Sequence, residues 1–152
     1  YSIWVFPIKI SKFRSSHNTL FASTTVPAVD KDQQWFGFNP VNRYIRLHYE
    51  TGDGNRNFDT KDNTINYGQW SHCVGTFDGK LAKIYLNGKY ITEGKPSVPS
   101  QRKPNQFITY IGSDFRGIES PPGKIDNARI YNRALSADEV KALYDLEKPK
   151  GQ

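Results

Sequence analysis

The sequence predicts an all-β fold, a two-sheet antiparallel β-sandwich (jelly roll) with one short C-terminal helix. Short segments rich in β-branched and aromatic residues recur along its 152 residues, separated by turn residues. Two of the turns are Asp78-Gly79 and Asn87-Gly88, dipeptides that suit the positive φ angles of tight hairpins. Helical periodicity is found after Ser136, at the end of the chain, so the strands must cover one another in two layers.

Nine strands are expected from these segments. Pro7 suggests that the first strand lies at a sheet edge or ends early, because proline cannot donate a hydrogen bond to a ladder. Thr51 to Asn66 is polar and lacks periodicity, so we expect a long loop there. The predicted strands are Tyr1–Ile10, Leu20–Val26, Trp35–Asn39, Tyr44–Glu50, Trp70–Phe77, Leu81–Leu86, Lys89–Thr92, Phe107–Gly112 and Lys124–Tyr131.

The third and fourth predicted strands each have two faces of different character. Successive side chains of a strand point to opposite sides, so residues two apart share a face. Each strand therefore has one core-like face and one face of polar or aromatic groups. Phe36 and Phe38 oppose Trp35, Gly37 and Asn39, while Ile45, Leu47 and Tyr49 oppose Tyr44, Arg46 and His48.

The C-terminal segment predicts a short amphipathic helix. Ser136 and Glu139 have the spacing of a capping box, in which each side chain satisfies a free amide of the other residue. Leu135 and Val140 have the spacing of a hydrophobic staple across the helix start. Pro149 prevents a long continuation. We expect this helix to pack on the outside of the sandwich.

Composition indicates a single globular domain spanning residues 1–152. No apolar run is long enough to span a membrane. The net charge of +6 suits an anionic partner, or reflects lysines scattered over the surface. The lone Cys73 is expected to be a small buried residue. Because the chain starts at Tyr1 and contains no Met, we expect a processed product or a piece of a larger protein.

Three segments resemble the laminin-G-like jelly-roll domains of the concanavalin-A-like lectin and glucanase group. KIDNARIYNRALSADEVKALYD resembles their C-terminal signature, GQWSHCVGTFDGKLAKIYLNGKYI their central hairpin, and YSIWVFP their early Trp-containing strand. The resemblance implies further strands before the Trp-containing one. We therefore expect that the first strand or two of the fold are missing, and that a dimer or a complementary N-terminal segment covers the exposed edge.

Catalytic residues of the group are not found in the sequence. Its glucanases carry an E-x-D-x-x-E pattern that places two acids on one strand face, and this pattern does not occur here. His72 matches a histidine that looks structural in the resemblance. We expect a non-catalytic domain, with a divergent hydrolase or lyase as an alternative.

Two sequence features are candidates for a calcium site. Asp126 alternates with Ala128 and Ile130, which predicts a carboxylate that points toward an apolar interior. The resemblance implies a structural calcium at this Asp; a salt bridge or hydrogen bond is the alternative. The run Asp53, Asn55, Asn57, Asp59 also imitates the start of a calcium loop. It lacks the later Gly and Glu, so a solvated loop is favoured.

Sugar binding needs an aromatic ring on which a pyranose can stack, together with hydrogen-bonding groups beside it. Such a surface is predicted on the non-core face of the third and fourth strands, with a rim loop adding to it. The alternative is that the second sheet or the helix covers this face and makes Trp35 a core residue. The candidate ligand-binding residues are Trp35, Tyr44, Arg46, His48, Phe115 and Arg116.

The leading hypothesis is a lectin-like module of a larger secreted or cell-surface protein that binds a polysaccharide or glycan, with an acidic polysaccharide suited to its charge. A nucleic-acid ligand is not expected. The absence of any run of five basic residues supports the alternative that the charge reflects lysines scattered over the surface. An adhesion or assembly module that binds a protein partner is the second hypothesis.

Overall fold

The computed structural model describes residues 1–12, 15–25, 34–51, 54–95 and 107–149. Strands and one helix account for most of this part of the chain. They are β1 (Ser2–Pro7), β2 (Asn18–Thr25), β3 (Gln34–Phe38), β4 (Ile45–Thr51), β5 (Gly54–Asp59), β6 (Ser71–Phe77), β7 (Ala82–Leu86), β8 (Lys89–Gly94), β9 (Phe107–Ile111), β10 (Gly123–Arg129) and α1 (Ala137–Glu147).

The strands form two antiparallel five-stranded sheets that pack as a sandwich. Sheet A has the order β10-β1-β6-β7-β8, and sheet B has the order β5-β4-β3-β2-β9. Contacts between β5 and β8 place those two edges on one side of the molecule, so β9 and β10 lie on the other side. The predicted two-sheet fold with one C-terminal helix is confirmed.

The inner faces of the two sheets enclose the main hydrophobic core. The predicted alternation in β3 and β4 is confirmed, because Phe36, Phe38 and Leu47 all lie in this core. Cys73 is fully buried beside them, and burial raises the pKa of its thiol to about 12. A thiol with that pKa stays protonated at neutral pH, as expected for a packing residue.

Both predicted hairpin turns are confirmed. Gly79 has a φ of 92°, and the Asp78 carboxylate accepts hydrogen bonds from two later amides of the same turn. Asn87 and Gly88 have φ angles of 50° and 75°, as a type I′ turn requires.

Helix α1 packs on the outside of sheet A, as predicted. Ser136 and Glu139 form the complete capping box. Leu135 and Val140 share a hydrophobic cluster with Val74 and Tyr85 of sheet A, which confirms the staple residues and the docking surface. Within the described residues, no helix has the length and apolar character needed to cross a membrane.

The predicted loop from Thr51 to Asn66 is wrong in part, because it contains strand β5. This strand pairs along its length with β4 at the edge of sheet B. Asn and Asp have low strand propensity, so its sequence suggests a loop. Backbone pairing with β4 nevertheless forms the strand, and two of its polar side chains, Asn57 and Asp59, contact His48 and Arg46 of β4.

Candidate functional site

Sheet B carries polar and aromatic side chains on the face turned away from the core, here called the outer face of sheet B. Cross-strand pairing brings these residues together from strands that are distant in sequence. The pairing aligns Ala22, Trp35, His48 and Asn57 in one row and Gly37, Arg46 and Asp59 in the next.

Trp35 lies on this face but is only 5% exposed. Its ring covers Gly37, since a Cβ atom built at position 37 would lie 2.6 Å from Cζ2 of the indole. The indole Nε1–H donates to Thr19 Oγ1 at 2.6 Å, and the His17 ring meets the indole edge-on with 5.2 Å between centroids. Neither sheet A nor the helix is responsible for this burial. Trp35 is therefore a packing residue of the outer face. The prediction that its ring is open for stacking on a sugar is wrong, because the ring is covered.

Arg46 is held by three neighbours. Its Nε and Nη2 donate to the two carboxylate oxygens of Asp59 at 2.7 and 2.6 Å. This hydrogen-bonded fork raises the pKa of the guanidinium. The guanidinium carbon lies 5.1 Å from the centre of the Tyr44 ring, and Nη1 lies 3.4 Å from Nε2 of His17. An acidic ligand would therefore either compete with Asp59 or approach Nη1.

His17 is a member of the site that the sequence did not indicate. It lies in a segment between β1 and β2 that has no periodicity, so nothing local links it to Trp35 or Arg46. Burial lowers its pKa, an effect that the nearby Arg46 guanidinium reinforces and the Glu119 carboxylate opposes. Arg46 can only donate, so Nε2 of a neutral His17 is the acceptor in their contact.

His48 and Asn57 provide a hydrogen-bonding pair on the same face. Nδ1 of His48 lies 2.7 Å from Oδ1 of Asn57. His48 is half-buried and Asn57 is exposed, so both side chains remain open to a ligand. Alternation within β5 would have indicated Asn57 and Asp59, had the segment been recognised as a strand.

The loop after β9 is organised by a buried carboxylate. Asp114 is 1% exposed, and it accepts hydrogen bonds from Nε of Arg116 at 2.7 Å and from the Ile118 amide at 2.8 Å. Burial acts to raise the pKa of Asp114, but these donors outweigh it and the pKa lies below its usual range. The Arg116 guanidinium lies 5.4 Å from the centre of the Phe115 ring.

Glu119 connects this loop to the outer face of sheet B. Its backbone oxygen accepts a hydrogen bond from the Thr19 amide at 2.7 Å. Its carboxylate accepts a second one from the Thr19 hydroxyl at 3.1 Å. The oxygen of the same Thr19 hydroxyl accepts the hydrogen bond from the Trp35 indole N–H. Phe115 and Arg116 are thus joined to the predicted surface through two residues, Thr19 and Glu119, that the sequence did not indicate.

The orientation predicted for Asp126 is wrong, because a bulge interrupts the alternation of β10. Asn127 has a φ of 48°, and the pairing shifts so that Asp126 lies opposite Trp4 and Arg129 lies opposite Ser2. Asp126 is exposed on the outer side of sheet A, where its carboxylate accepts the Asn127 amide at 2.7 Å. This hydrogen bond is one of the partners that the sequence suggested for Asp126, and a structural calcium there stays a prediction.

The described residues do not assemble an obvious metal site. No group of three or more His, Cys, Asp or Glu side chains in that part of the chain is placed to hold a metal ion. Asp53 of the calcium-loop pattern lies outside the described residues. Asn57 and Asp59 of that pattern contact His48 and Arg46 from a strand. Calcium binding stays a prediction.

Several solved structures share this fold. The sialidase module CBM40 of Ruminococcus gnavus superposes with a TM-score of 0.72 at 14% identity, over 94% of this chain and 81% of that one. Domain 4 of an extracellular GH43 arabinanase from Geobacillus stearothermophilus, in complex with arabinotriose, has a TM-score of 0.59 at 24% identity, over 94% and 64%. A SAP-like pentraxin of Limulus polyphemus has a TM-score of 0.68 at 17% identity, over 94% and 67%.

At these identities the similar structures establish the architecture, and ligands have to be argued from the residues of this chain. The sequence pattern of a laminin-G-like family matches residues 1–141, nearly the whole chain. The protein therefore belongs to the concanavalin A-like lectin/glucanases superfamily.

Proposed function

We propose that this protein is a non-catalytic carbohydrate-binding module of a larger extracellular protein, and that it binds an acidic polysaccharide. The observation that carries the proposal is the cluster on the outer face of sheet B. Tyr44, Arg46 and His48 are partly exposed there, around the nearly buried Trp35. Ring faces, a guanidinium and directional hydrogen-bonding groups are the chemistry that recognises a charged sugar.

Different residues of this surface can make different kinds of contact with a sugar. The exposed His48–Asn57 pair can exchange hydrogen bonds with sugar hydroxyls. Arg46 and Arg116 can approach a carboxylate or sulfate, and the rings of Tyr44 and Phe115 can contact apolar ring faces. The net charge of +6 favours encounter with an anionic polymer. The similar R. gnavus module has been solved with α2,3 sialyllactose, which supports a glycan ligand for this fold.

A glycan array of plant, algal and host polysaccharides tests the proposal. We expect acidic polymers to bind, and His48→Ala and Arg46→Gln to weaken binding. Arg133→Gln is the matched control, since Arg133 is exposed and paired with Glu139 beside the helix. Absence of binding above background would contradict the proposal and favour a protein ligand.

A divergent hydrolase or lyase is the catalytic alternative. Two acids near the proposed site, Asp59 and Asp114, are both held by arginines, which suits a structural role better than proton transfer. The two readings differ in product release. We expect no new reducing ends and no unsaturated products from any polymer that binds, and appearance of either would overturn the non-catalytic assignment.

We also propose that the side of the sandwich formed by β9 and β10, here called the open edge, pairs with a β-strand from a second copy or from a complementary segment. Four isoleucines of this side, Ile108, Ile111, Ile125 and Ile130, are 40–55% exposed. Both strands are at the ends of their sheets, and no strand of the described residues pairs with their outward edges. Such edges attract strand addition.

Light scattering with mass spectrometry tests the open edge. We expect a dimer or a bound second peptide, and Ile125→Lys should release it. Ile91→Lys is the matched control, because Ile91 is similarly exposed on β8 at the opposite side of the sandwich. A monomer that carries no second peptide would contradict this proposal and leave the glycan proposal untouched.

A further inference from the structure

Two adjoining cavities lie on the outer side of sheet A, beside the C-terminal end of helix α1. Their volumes are about 350 and 250 Å³, and Trp4, Trp70 and Pro149 line both of them. Together they are here called the Trp70 groove. The other described lining residues are Gln69, Asn87, Tyr144 and Lys148 in the larger cavity, and Asp126, Asn127 and Glu147 in the smaller one.

Trp70 is the most accessible tryptophan of the chain. It is partly exposed, whereas Trp4 and Trp35 are 3% and 5% exposed. Phe6 is also partly exposed and meets the Trp70 ring edge-on, with 5.6 Å between the centroids. An accessible indole beside a second ring is the kind of surface on which the apolar side of a pyranose stacks.

Contacts within the protein hold the walls of the Trp70 groove in place. The Trp4 indole N–H donates to Glu147 Oε2 at 3.0 Å, and the indole stacks on Tyr144 with 5.7 Å between ring centroids. The Gly68 amide donates to Pro7 O at 2.8 Å, which ties the segment before β6 to the end of β1. A groove formed in advance of binding costs a ligand little ordering of the protein.

Hydrogen-bonding groups lie beside the rings. An ionised carboxylate has about four acceptor sites, and the Asn127 amide occupies one of those of Asp126. Asn127 and Gln69 are exposed, and their side-chain amides can both donate and accept. Sugar hydroxyls are also donors and acceptors at once, so this combination of carboxylate and amide groups matches them.

The charges around the Trp70 groove favour a neutral ligand. Each acid there has a basic neighbour among the described residues. Two of these neighbours form ion pairs, Glu147–Arg129 and Asp145–Lys148. Asp126 has Lys124 two residues before it on the same face of β10. An acidic sugar would meet the Asp126 carboxylate, and a cationic sugar would meet the lysines.

We propose that the Trp70 groove binds a neutral sugar unit of a glycan. The apolar face of the pyranose stacks on the Trp70 ring, and its hydroxyls bond to the Asp126 carboxylate and to the amides of Asn127 and Gln69. This site lies on the opposite sheet from the outer face of sheet B and shares no residue with it. It therefore does not rest on the proposal that the outer face binds an acidic polysaccharide.

Titration of the ¹⁵N-labelled protein by NMR tests the groove. The chain has three tryptophans, and loss of one indole N–H signal in Trp70→Phe identifies the signal of Trp70. The probes are the methyl glycosides of glucose, galactose and mannose, together with the uronic acid and the 2-amino sugar that correspond to each. All titrations contain a chelator, so that calcium makes no contribution at Asp126. We expect saturable shifts of the Trp70 signal with at least one neutral glycoside, and lower affinity for its two charged counterparts.

Variants test the contacts that the proposal names. Trp70→Ala should weaken binding of the neutral sugar about three- to tenfold, as expected for a lost aromatic contact, and Trp70→Phe should weaken it less. Tyr90→Ala is the matched control, because Tyr90 is 51% exposed on β8 at the far edge of sheet A. Asp126→Asn should weaken binding about two- to tenfold through the loss of a charged acceptor. Asp62→Asn is its control at another exposed acid.

The two glycan sites can fail independently. Arg46→Gln should leave the response of the Trp70 signal to neutral sugar unchanged, and Trp70→Ala should leave binding of acidic glycans to the outer face of sheet B unchanged. A Trp70 signal that responds to none of the neutral glycosides would overturn the proposal, whatever the outer face binds. This readout uses the parent protein, so it holds even if Trp70→Ala does not fold.

Two further results would also overturn the proposal. Tighter binding of the uronic acid or of the amino sugar at Trp70 would assign the groove to a charged ligand. Equal weakening in Trp70→Ala and Tyr90→Ala would show that the sugar contacts exposed rings without selecting this groove.

Discussion

Trp35 occupies the space above Gly37 on the outer face of sheet B, and no side chain larger than a hydrogen atom fits at position 37. A Cβ atom there would lie 2.6 Å from Cζ2 of the indole and 2.2 Å from the backbone oxygen of Asn18. Both distances are below any real carbon contact, and the second involves backbone that cannot move aside. The proposed binding surface thus depends on one glycine that makes no contact with a ligand.

Gly37→Ala should destabilise the domain by about 2–3 kcal/mol, the upper range for overpacking a closely packed site. The midpoint of urea unfolding measures the change. Gly68→Ala is the matched control, since nothing lies within 4 Å of its Cβ position and only its φ of 71° is unfavourable. Equal loss in the two variants would contradict the packing argument.

Glu147 should anchor helix α1 to β1. Its side chain is only 5% exposed, and its carboxylate accepts the Trp4 indole at 3.0 Å and Nε of Arg129 at 2.8 Å. Glu147→Ala leaves the buried indole without an acceptor and should cost about 2–3 kcal/mol of unfolding free energy. Asp145→Ala, at an exposed position of the same helix, should change the unfolding midpoint little. Similar midpoints for the two variants would show that Glu147 is not an anchor.

Acid should destabilise the domain through His72. Burial lowers the pKa of this histidine to about 4, and its Nε2 lies 2.7 Å from the Ser2 hydroxyl. In the unfolded chain this histidine has a normal pKa and binds a proton more readily. Neutral His72 therefore makes its full contribution to folding stability above about pH 6.5. It is lost as pH falls toward 4, by about 3 kcal/mol in all.

Chemical denaturation at a series of pH values tests this linkage. His72→Gln keeps a hydrogen-bonding group toward Ser2 without the titration, so its stability should fall less between these pH values. His17→Gln is the control, because His17 is partly exposed and should leave most of the slope. An unchanged slope in His72→Gln would assign the acid sensitivity to other groups.

Ligand binding at the outer face of sheet B should depend on salt. Arg46→Ala should weaken binding of an acidic glycan more at low ionic strength than at high, because charges are screened over about 8–10 Å. The loss should be about 1 kcal/mol or more at low salt. Calorimetry at two ionic strengths measures it, with a neutral glycan as the comparison. If Arg46→Ala binds like the parent, the site lies elsewhere, and the loop that holds Asp114 is the next candidate.

Calcium binding is tested separately from sugar binding. A structural calcium at Asp126 should make the melting temperature fall when a chelator is added, and Asp126→Ala should abolish that response. Asp62→Ala is a control at another exposed acid. Identical melting curves with calcium and with chelator would remove this prediction.

Local chemistry was sufficient to predict several elements from the sequence. The Asn87-Gly88 turn follows from the φ angles that those two residues tolerate. The start of α1 follows from Ser136 and Glu139, which satisfy each other's amides three residues apart. In each case the partners are near neighbours in the chain, so the sequence contains the whole interaction.

Other features were decided by partners that are distant in the chain. Strand β5 exists because β4 supplies its hydrogen bonds, although its own residues favour a loop. Asp126 faces outward because a bulge forms at Asn127 when β10 pairs with β1. Hydrogen bonding between strands fixes their pairing register, and the register determines the face of the sheet toward which each side chain points.

The candidate site shows both contributions. Alternation alone placed Arg46 and His48 on one face of β4, and the pairing of β4 with β3 agrees. Tyr44, just before the strand, lies beside Arg46. Only the folded chain brings His17 against Trp35, from a loop with no periodicity. The sequence determined which side chains leave the core, because that depends on the period of a strand. Tertiary structure decided which of them a ligand can reach, because burial depends on neighbours that sequence spacing does not specify.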